Sequence, residues 1–588
     1  MKYIVGVLLT ISLAVGANTN VRKVTANPYK DAIIAKTVFI NSAAKQVGDS
    51  VGYTFYDWQA NRNRGKSIQI LPGGGIHVTW LGRQDTSAGD RDMLYAYYDG
   101  TAWYPYVTST PGWYCGYGEV DYLSDYSAII VEHGGDVTAG ALVSVDDAEG
   151  LGTFGTHTFF DTTYDWIWPR IAVYRSGDRT TDVIYVTMSG YSLSGIAYSK
   201  STDGGATFLP EKVILDTIET HVDTVGDTVT TITYEPDIEH PIAVDPNDPN
   251  KVATFYLEDI YWASVIADTD TVYGEVYEGV LLQSTDGGTT WNEILRVNQN
   301  FFANHGYGEF TDIYLSHLPY YLPDGRLVTV FDAIDTLGRG GIFFYDVTND
   351  ILSLVDMGVE NLASDPIMED SVDVGYNILR VGHPQLSYDP ATGKLFVVYI
   401  KFLTDDYVAA LNAYVPYLSC GEVFVSASFD NGVTWTTPEN LTNTFNLDER
   451  YASVSPYVYN NTLAVSFEED LSVGASVFGQ GEVTANPIKV LLVDSRNISV
   501  DEEFTLNKPA FSIKPVVKGN SITIKFSREI NGNLSVDLYN IAGRKINVFK
   551  GNVNGDKLNL NIGDLPAGVY FIKLSGAVNA VRHLTIVN

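Results

Sequence analysis

DPATGKLFVVYIK, residues 389–401, places a turn of Asp, Pro, Thr, Gly and Lys directly before a short run rich in β-branched and aromatic residues. Gly, Pro and Asp favour a reversal of the chain, and Val, Tyr and Ile favour the pleated strand that follows. Six more stretches repeat the order: LPGGGIHVTWLG from Leu71, LSDYSAIIVEH from Leu123, RSGDRTTDVIYVTMSG from Arg175, DPNDPNKVATFYLED from Asp245, LPDGRLVTVFDA from Leu322 and YNNTLAVSFEED from Tyr459. Their strands begin near Ile76, Ser127, Val183, Val252, Leu327, Leu395 and Leu463, roughly 50 to 75 residues apart, the size of a four-stranded antiparallel module. A strand precedes each turn, as in KSIQIL, PRIAVY and HPQLSY, and another follows, as in MLYAYY, GVLLQS and EVFVSAS. Amphipathic-helix spacing is absent from this region and strand alternation runs through it.

Such units bury both faces only by packing against copies of themselves, which a radial array of twisted sheets achieves with short protected edges. The sequence therefore predicts an all-β chain: a seven-bladed β-propeller over 36–497, with six blades as the alternative because the second unit has the weakest pattern. Three units share a tighter signature after the third strand: STDGGATF at 201–208, STDGGTTW at 284–291 and SFDNGVTW at 428–435. In each, Ser201, Asp203, Gly205, Thr207 and Phe208, or Ser284, Asp286, Gly288, Thr290 and Trp291, or Ser428, Asp430, Gly432, Thr434 and Trp435, suit a turn that satisfies its own polar groups. The aromatic residue is expected to plug the blade, and YYDGTAW at 97–103 reads as a decayed copy. The signature resembles the Asp-box, or BNR, repeat of sialidase-like propellers. The resemblance implies a fold with peripheral hairpins and does not imply an active site.

Composition agrees: 45% hydrophobic residues supply a large core, and 18% charged is too few for disorder. The 71 acidic residues against 37 basic ones give a net charge of −34, a field that excludes nucleic acid and anionic lipid surfaces as partners. MKYIVGVLLTISLAVGA, with Lys2 before an apolar run and Val15 and Ala17 before the cut, reads as a secretory signal peptide over 1–17. No other segment is apolar enough to span a bilayer, so the mature protein is expected to be secreted or held at the outer cell surface. Two cysteines, Cys115 and Cys420, leave a single disulfide open.

After a linker over 498–511 the composition changes. Residues 512–588 carry ten basic and four acidic residues, an excess of six positive charges that leaves −40 on the rest of the chain. Strands such as SITIKF, LSVDLYN and GVYFIKL predict a small antiparallel β-sandwich. YNIAGR (Tyr539, Asn540, Gly543, Arg544), then LPAGVYFIKL (Leu565, Pro566, Gly568, Tyr570) and RHLTIVN, resemble the type IX secretion C-terminal sorting domain. That resemblance implies export across the outer membrane and the type IX secretion machinery as a partner. A permanent carbohydrate-binding accessory domain is the alternative.

Chemistry is less legible. Walker A, H-E-x-x-H, C-x-x-C and G-x-S-x-G patterns are absent, and nine scattered histidines suggest no metal centre. No cofactor is implied, with weak calcium binding on so acidic a surface left open; the nearest approach to a calcium loop, Asp268, Asp270 and Glu275, lacks the EF-hand ligand order and reads as an incidental acidic loop. Cationic residues recur where the first strands begin: Arg62, Arg64 and Lys66 in NRNRGKSIQI, Arg170 in WPRIAV, His240 in EHPIAV, His383 in GHPQLS and Arg450 in ERYASV. Converging on the channel, Arg64, Arg170, His240, His383 and Arg450 would make an anion site; the plainer reading is that they shape the strand starts. Sialidases are similar to one another in three arginines, a Tyr/Glu nucleophile pair and an Asp acid/base. Here F-R-I-P is absent, and Arg64, Arg170 and Arg450 are a triad without an assignable nucleophile. Aromatic stretches at Trp103–Gly118 and Phe160–Trp168 are candidate stacking platforms for sugars. The leading expectation is an exported propeller binding an extracellular glycan or protein. A sialidase-like hydrolase and a structural envelope component are its rivals.

Overall fold

The computed structural model describes residues 47–498 and 511–587, short internal stretches excepted, the longest of them 359–371. The predicted signal peptide and nearly all of the predicted linker lie outside the described residues. The chain divides into two compact units, Met1–Val500 and Asp501–Asn588.

In the first unit, each of the seven sequence units supplies the second strand of its own sheet: Ile76–Gly82, Ala128–Gly134, Val183–Gly190, Asp248–Ile266, Leu327–Asp335, Leu395–Ala409 and Thr462–Asp470. Every sheet has a four-stranded antiparallel core. The first strands, Ile68–Ile70, Cys115–Tyr122, Trp166–Tyr174, Ile242–Asp245, Phe310–Tyr321, Val381–Tyr388 and Asp448–Val454, neighbour one another in chain order, and the last returns against the first. The sheets thus form a closed ring. Closure is completed by the strand Asp49–Thr54, which pairs with Asn486–Asp494 as the outer strand of the seventh sheet.

Apolar residues alternate onto both faces of each sheet, so the core lies between sheets. Phe255 and Leu281 of the fourth pack against Phe331 and Phe343 of the fifth, and Phe396 and Val425 of the sixth against Val465 and Phe467 of the seventh. A fully buried side chain of this size stabilises by about 2 to 3 kcal/mol. Two features were not expected from the sequence. The middle strands of the fourth sheet run on to Ile266 and from Asp270, and together with the hairpin Glu219–Val225 and Thr228–Pro236 they build an extension of that sheet. A short helix, Gln299–Asn304, capped by Asn298, precedes the fifth sheet.

The sorting unit has its own core, with Ile524, Val536, Leu538, Ile572 and Leu574 fully or almost fully buried. Its long strand Ser521–Asn540 pairs with Lys545–Asn561 and breaks register between Lys525 and Ile530. One pairing corrects the antiparallel expectation: Val516–Lys518 runs parallel to Ala580–Val587. Tyr570 donates to the Pro566 carbonyl at 2.9 Å and so closes the turn that holds Leu565 and Gly568. Tyr539 and Asn540 pair with Phe571 and Tyr570, Arg544 is exposed, and Gly543 lies outside the described residues. No described helix is long and apolar enough to cross a membrane.

Candidate functional site: the ring axis and its faces

Because neighbouring strands are antiparallel, the ring has two ends. The turns between first and second strands share an end with the turns between third and fourth strands, where the three Asp-box sequences lie. There the bonds repeat from copy to copy. Ser284 donates to Asp286 at 2.8 Å and accepts from the Gly288 amide at 2.8 Å, while Asp286 accepts from the Thr290 amide at 2.9 Å and its hydroxyl at 2.8 Å. Ser201, Asp203, Gly205 and Thr207 repeat this arrangement, as do Ser428, Asp430, Gly432 and Thr434. The Thr290 bonds, followed by that of Ser284, hold the Asp286 carboxyl down at about 2.

The aromatic residue sits between its own sheet and the one before it, Trp291 in a cluster with Val280 and Leu282 and Trp435 in one with Phe424. Trp291 packs on Tyr198 and Trp435 on Phe344, each on the preceding sheet, and Phe208 packs on Phe160 before its own. A Cβ on Gly432, at φ 85°, would stand 2.2 Å from Phe344. The box is therefore a staple between adjacent sheets. The stretch 97–103 differs: Asp99 accepts from Thr101, two residues on rather than four.

At the other end the first strands carry β-bulges, with register shifts across 116–119, 167–170, 382–385 and 450–453. Inside each bulge an aromatic or histidine residue takes a positive φ: Tyr117 at 52°, Trp168 at 46°, His383 at 55° and Tyr451 at 55°. Such backbone costs of order 1 to 2 kcal/mol per residue and persists only where its surroundings require it. Here the bulge turns the side chain two residues on, Glu119, Arg170, Gln385 or Ser453, into contact with the segment 61–67.

That segment, NRNRGKS, crosses the axis and is bound from six sheets. Glu239 accepts from the amides of Arg62 at 3.2 Å and Asn63 at 2.6 Å, and the His317 amide donates to the Asn63 side chain at 2.7 Å. Glu119 accepts from the Lys66 amide at 3.3 Å, Arg170 donates to the Asn63 carbonyl at 3.2 Å, and Gln385 donates to the Arg64 carbonyl at 2.6 Å. The Ser67 amide donates to Ser453 at 3.0 Å.

The structure therefore brings Arg64 and Arg170 to the axis but gives them internal partners. Arg170 lies 2.9 Å from Glu239 and 3.7 Å from Glu119. Arg64 donates to the Tyr451 and Gln59 carbonyls, and burial lowers its guanidinium to about 10. Arg450 is paired with Asp448 at 2.6 Å and lies over Phe402. His240 bonds Ser189, and His383 stacks on Tyr451; burial, then the nearby Arg170 or Arg450, pushes each imidazole down to about 3, so both are neutral. In this geometry the five are parts of the ring's interior, not an open anion site.

Two groupings escaped the sequence. Arg62 lies 3.0 Å from Asp237 and 4.0 Å from Asp259 and sits over the Tyr277 ring, whose hydroxyl donates to Glu275 at 2.7 Å. Burial, then the Asp237 charge, raises the Asp259 carboxyl well above the usual range. Second, Tyr56, Tyr114 and Tyr117 surround Arg91 at 5.3, 4.5 and 5.0 Å, His133 joins Tyr117 to Trp168, and Tyr114 is exposed. Both aromatic stretches named in the sequence contribute to it.

Cys115 and Cys420 are separate buried thiols. Of the acidic loop, Asp268 lies outside the described residues, while Glu275 is bonded by Tyr277. Among the described residues no group of three His, Cys, Asp or Glu side chains is placed to hold a metal ion.

Residues 517–588 match the family described as secretion system C-terminal sorting domain. The chain is a β-propeller followed by that domain, which directs export to the cell surface or release. No curated protein matches the chain in sequence. Among solved structures it is similar to a protein of unknown function from Dyadobacter fermentans, at 10% identity over 77% of this chain and 99% of that one, with a TM-score of 0.29. It is similar to a Trypanosoma rangeli sialidase in complex with 2,3-difluorosialic acid, at 10% identity over 72% of this chain and 57% of that one, TM-score 0.28. AofleA from Arthrobotrys oligospora gives 9% identity over 75% and 89%, TM-score 0.31. At such TM-scores these likenesses carry no argument, and the ring architecture rests on the sheets themselves.

Proposed function

We propose that the protein is an exported glycan-binding propeller, delivered by a cleaved leader at 1–17 and the sorting tail, that engages its ligand through the Tyr56, Tyr114, Tyr117 and Trp168 platform around Arg91. One observation carries this reading: the converging arginines of the axis are consumed by the chain itself, which leaves an aromatic, locally cationic surface on the bulged end as the part suited to sugar rings. Tyrosine rings offer flat apolar faces with a polar rim, and Arg91, which donates to the Cys115 carbonyl and the Tyr56 hydroxyl, holds them in place. No cofactor is needed.

The test is a glycan array on the full mature chain, wild type against Tyr114→Ala, run beside a fluorogenic glycoside screen with Tyr277→Phe. Binding lost in Tyr114→Ala without turnover is the expected result. Turnover abolished in Tyr277→Phe would replace this reading with a hydrolase centred on Arg62, Asp259 and the Tyr277/Glu275 pair. Binding unchanged in Tyr114→Ala would remove the platform from the account.

A further inference from the structure

The extension of the fourth sheet carries four side chains in a square on one of its faces. Asp259 is directly opposite Tyr277 and Tyr261 directly opposite Glu275, so the two carboxyls lie on one diagonal and the two rings on the other. Each tyrosine donates to the carboxyl next along its own strand, Tyr261 to Asp259 at 3.1 Å and Tyr277 to Glu275 at 2.7 Å. Tyr261, Glu275 and Tyr277 are half-buried, so the square can be reached from solvent.

Its charges do not balance. Arg62 lies 3.0 Å from Asp237 and 4.0 Å from Asp259, and these two carboxyls and Glu275 share that one guanidinium. Glu239, also close to Arg62, is held by Arg170 and by the Arg62 and Asn63 amides, and Glu235 lies opposite Asp259 on the neighbouring strand. One Asp259 oxygen accepts the Tyr261 bond, whereas the other has no hydrogen-bond partner although the side chain is only 9% exposed. A buried oxygen left unbonded calls for a donor. Burial and the Asp237 charge make Asp259 retain a proton, and a cation on the square would take that proton's place. Among the described residues no three such side chains converge on a metal ion. A primary ammonium has three donors and is drawn to tyrosine faces, which two carboxyls and two rings match.

We propose that this square binds an unacetylated hexosamine residue of an extracellular polysaccharide, its ammonium between Asp259 and Glu275 and its pyranose ring against Tyr261. That the ligand is a cation rests on the square alone; that it is a sugar rests on the glycan reading above.

The test is calorimetric titration of the full mature chain with the β-1,4-linked trimer of D-glucosamine, with its N-acetylated counterpart and ethanolamine as the neutral sugar and the bare ammonium. The glucosamine trimer is expected to bind at least about tenfold more tightly than either control and to weaken as salt rises from about 50 to 500 mM. About one proton should be released per trimer bound, read from the difference in enthalpy between phosphate and Hepes buffers. Asp259→Asn copies the protonated carboxyl, so it is expected to keep the melting temperature, lose about tenfold or more in affinity and release no proton. If Asp259→Asn fails to fold, Glu275→Gln carries the same expectation for affinity. The proposal is overturned by equal binding of the N-acetylated trimer or of ethanolamine, by no binding to wild type, by binding without proton release, or by full affinity in a folded Asp259→Asn or Glu275→Gln. The glycan array reads the Arg91 platform through Tyr114 and this titration reads Asp259 and Glu275, so each can fail without the other.

Discussion

At the turn end of the ring, Ser284, Asp286 and Thr290 satisfy one another within a single turn; at the bulged end, Asn63 meets His317 across 254 residues and Ser453 meets Gly65 across 388. The first kind of site satisfies its Ser, Asp and Thr side chains as soon as its hairpin forms and needs only the preceding sheet to seat its aromatic residue. The second exists only when sheets from the whole ring are in place, because each bulge contributes one side chain to a shared segment. The turn end therefore tolerates loss of one part, and the axial end does not.

The sharpest way to break this contrast is Arg170→Met. Removing the guanidinium leaves Glu239 and Glu119 buried without their cation, for an expected loss of about 3 to 5 kcal/mol in denaturant unfolding. Amide exchange should rise together at Asn63, Lys66 and Ile171. An unchanged midpoint would show that the axis is not cooperative. Gly65→Ala is next: its Cβ would stand 2.7 Å from Glu119 Cγ and 2.8 Å from Arg170 Nη1, so a loss of about 1 to 3 kcal/mol is expected. Ser284→Ala should lose about 1 to 2 kcal/mol, with faster exchange confined to the Gly288 hairpin. Spread of that effect to the axis would erase the distinction between the ends.

The fourth prediction concerns protons and is smallest at neutral pH. Burial raises Glu422 and Glu132 to about 7, and holds Glu449, Glu468 and Asp470 of the closing sheet well above the carboxylate range. A group raised in the folded state contributes fully below its unfolded pKa and loses that contribution as pH rises through the folded value. For Glu422 and Glu132 the loss begins near the unfolded carboxyl value, about 4.3, and is complete just above the folded value of about 7. The histidines held neutral at about 3, His240, His317 and His383, act in the opposite sense, destabilising only as pH falls below their unfolded value. The melting temperature should therefore decline from about pH 6.5, where the histidines are neutral in both states, to about 7.5, and Glu422→Gln should flatten the decline. A melting temperature that rises across this range would contradict the assignment.

Legibility followed the same division. The seven second strands and the three boxes were readable because alternation, turn residues and side-chain-to-backbone bonds act over a few positions. Arg64 and Arg170 were placed near the axis by their position before a first strand, yet their partners could not be named: Glu239 is one of 71 acidic residues and lies 69 positions from Arg170. The neutrality of His240 and His383 is a consequence of burial, which residue type does not reveal. NRNRGKS is legible as a cationic stretch before a first strand, but that this polar run, ahead of a strand of only three residues, Ile68–Ile70, fills the axis itself is not. The Tyr114 platform was half legible as aromatic density, and its arginine was not.

The pairing of Asp49–Thr54 with the strand ending at Asp494 has a consequence for timing. A chain made from its amino terminus presents residues 49–67 first, yet their partners in the seventh sheet are nearly the last of the ring to emerge. Non-local closure of this kind is slow and leaves an open sheet edge exposed until it is done. The sorting unit begins directly afterwards, at Asp501. The tail that addresses the protein for export thus becomes available only once everything needed to close the ring has been made, so a chain that stops short of its seventh sheet never carries the export address.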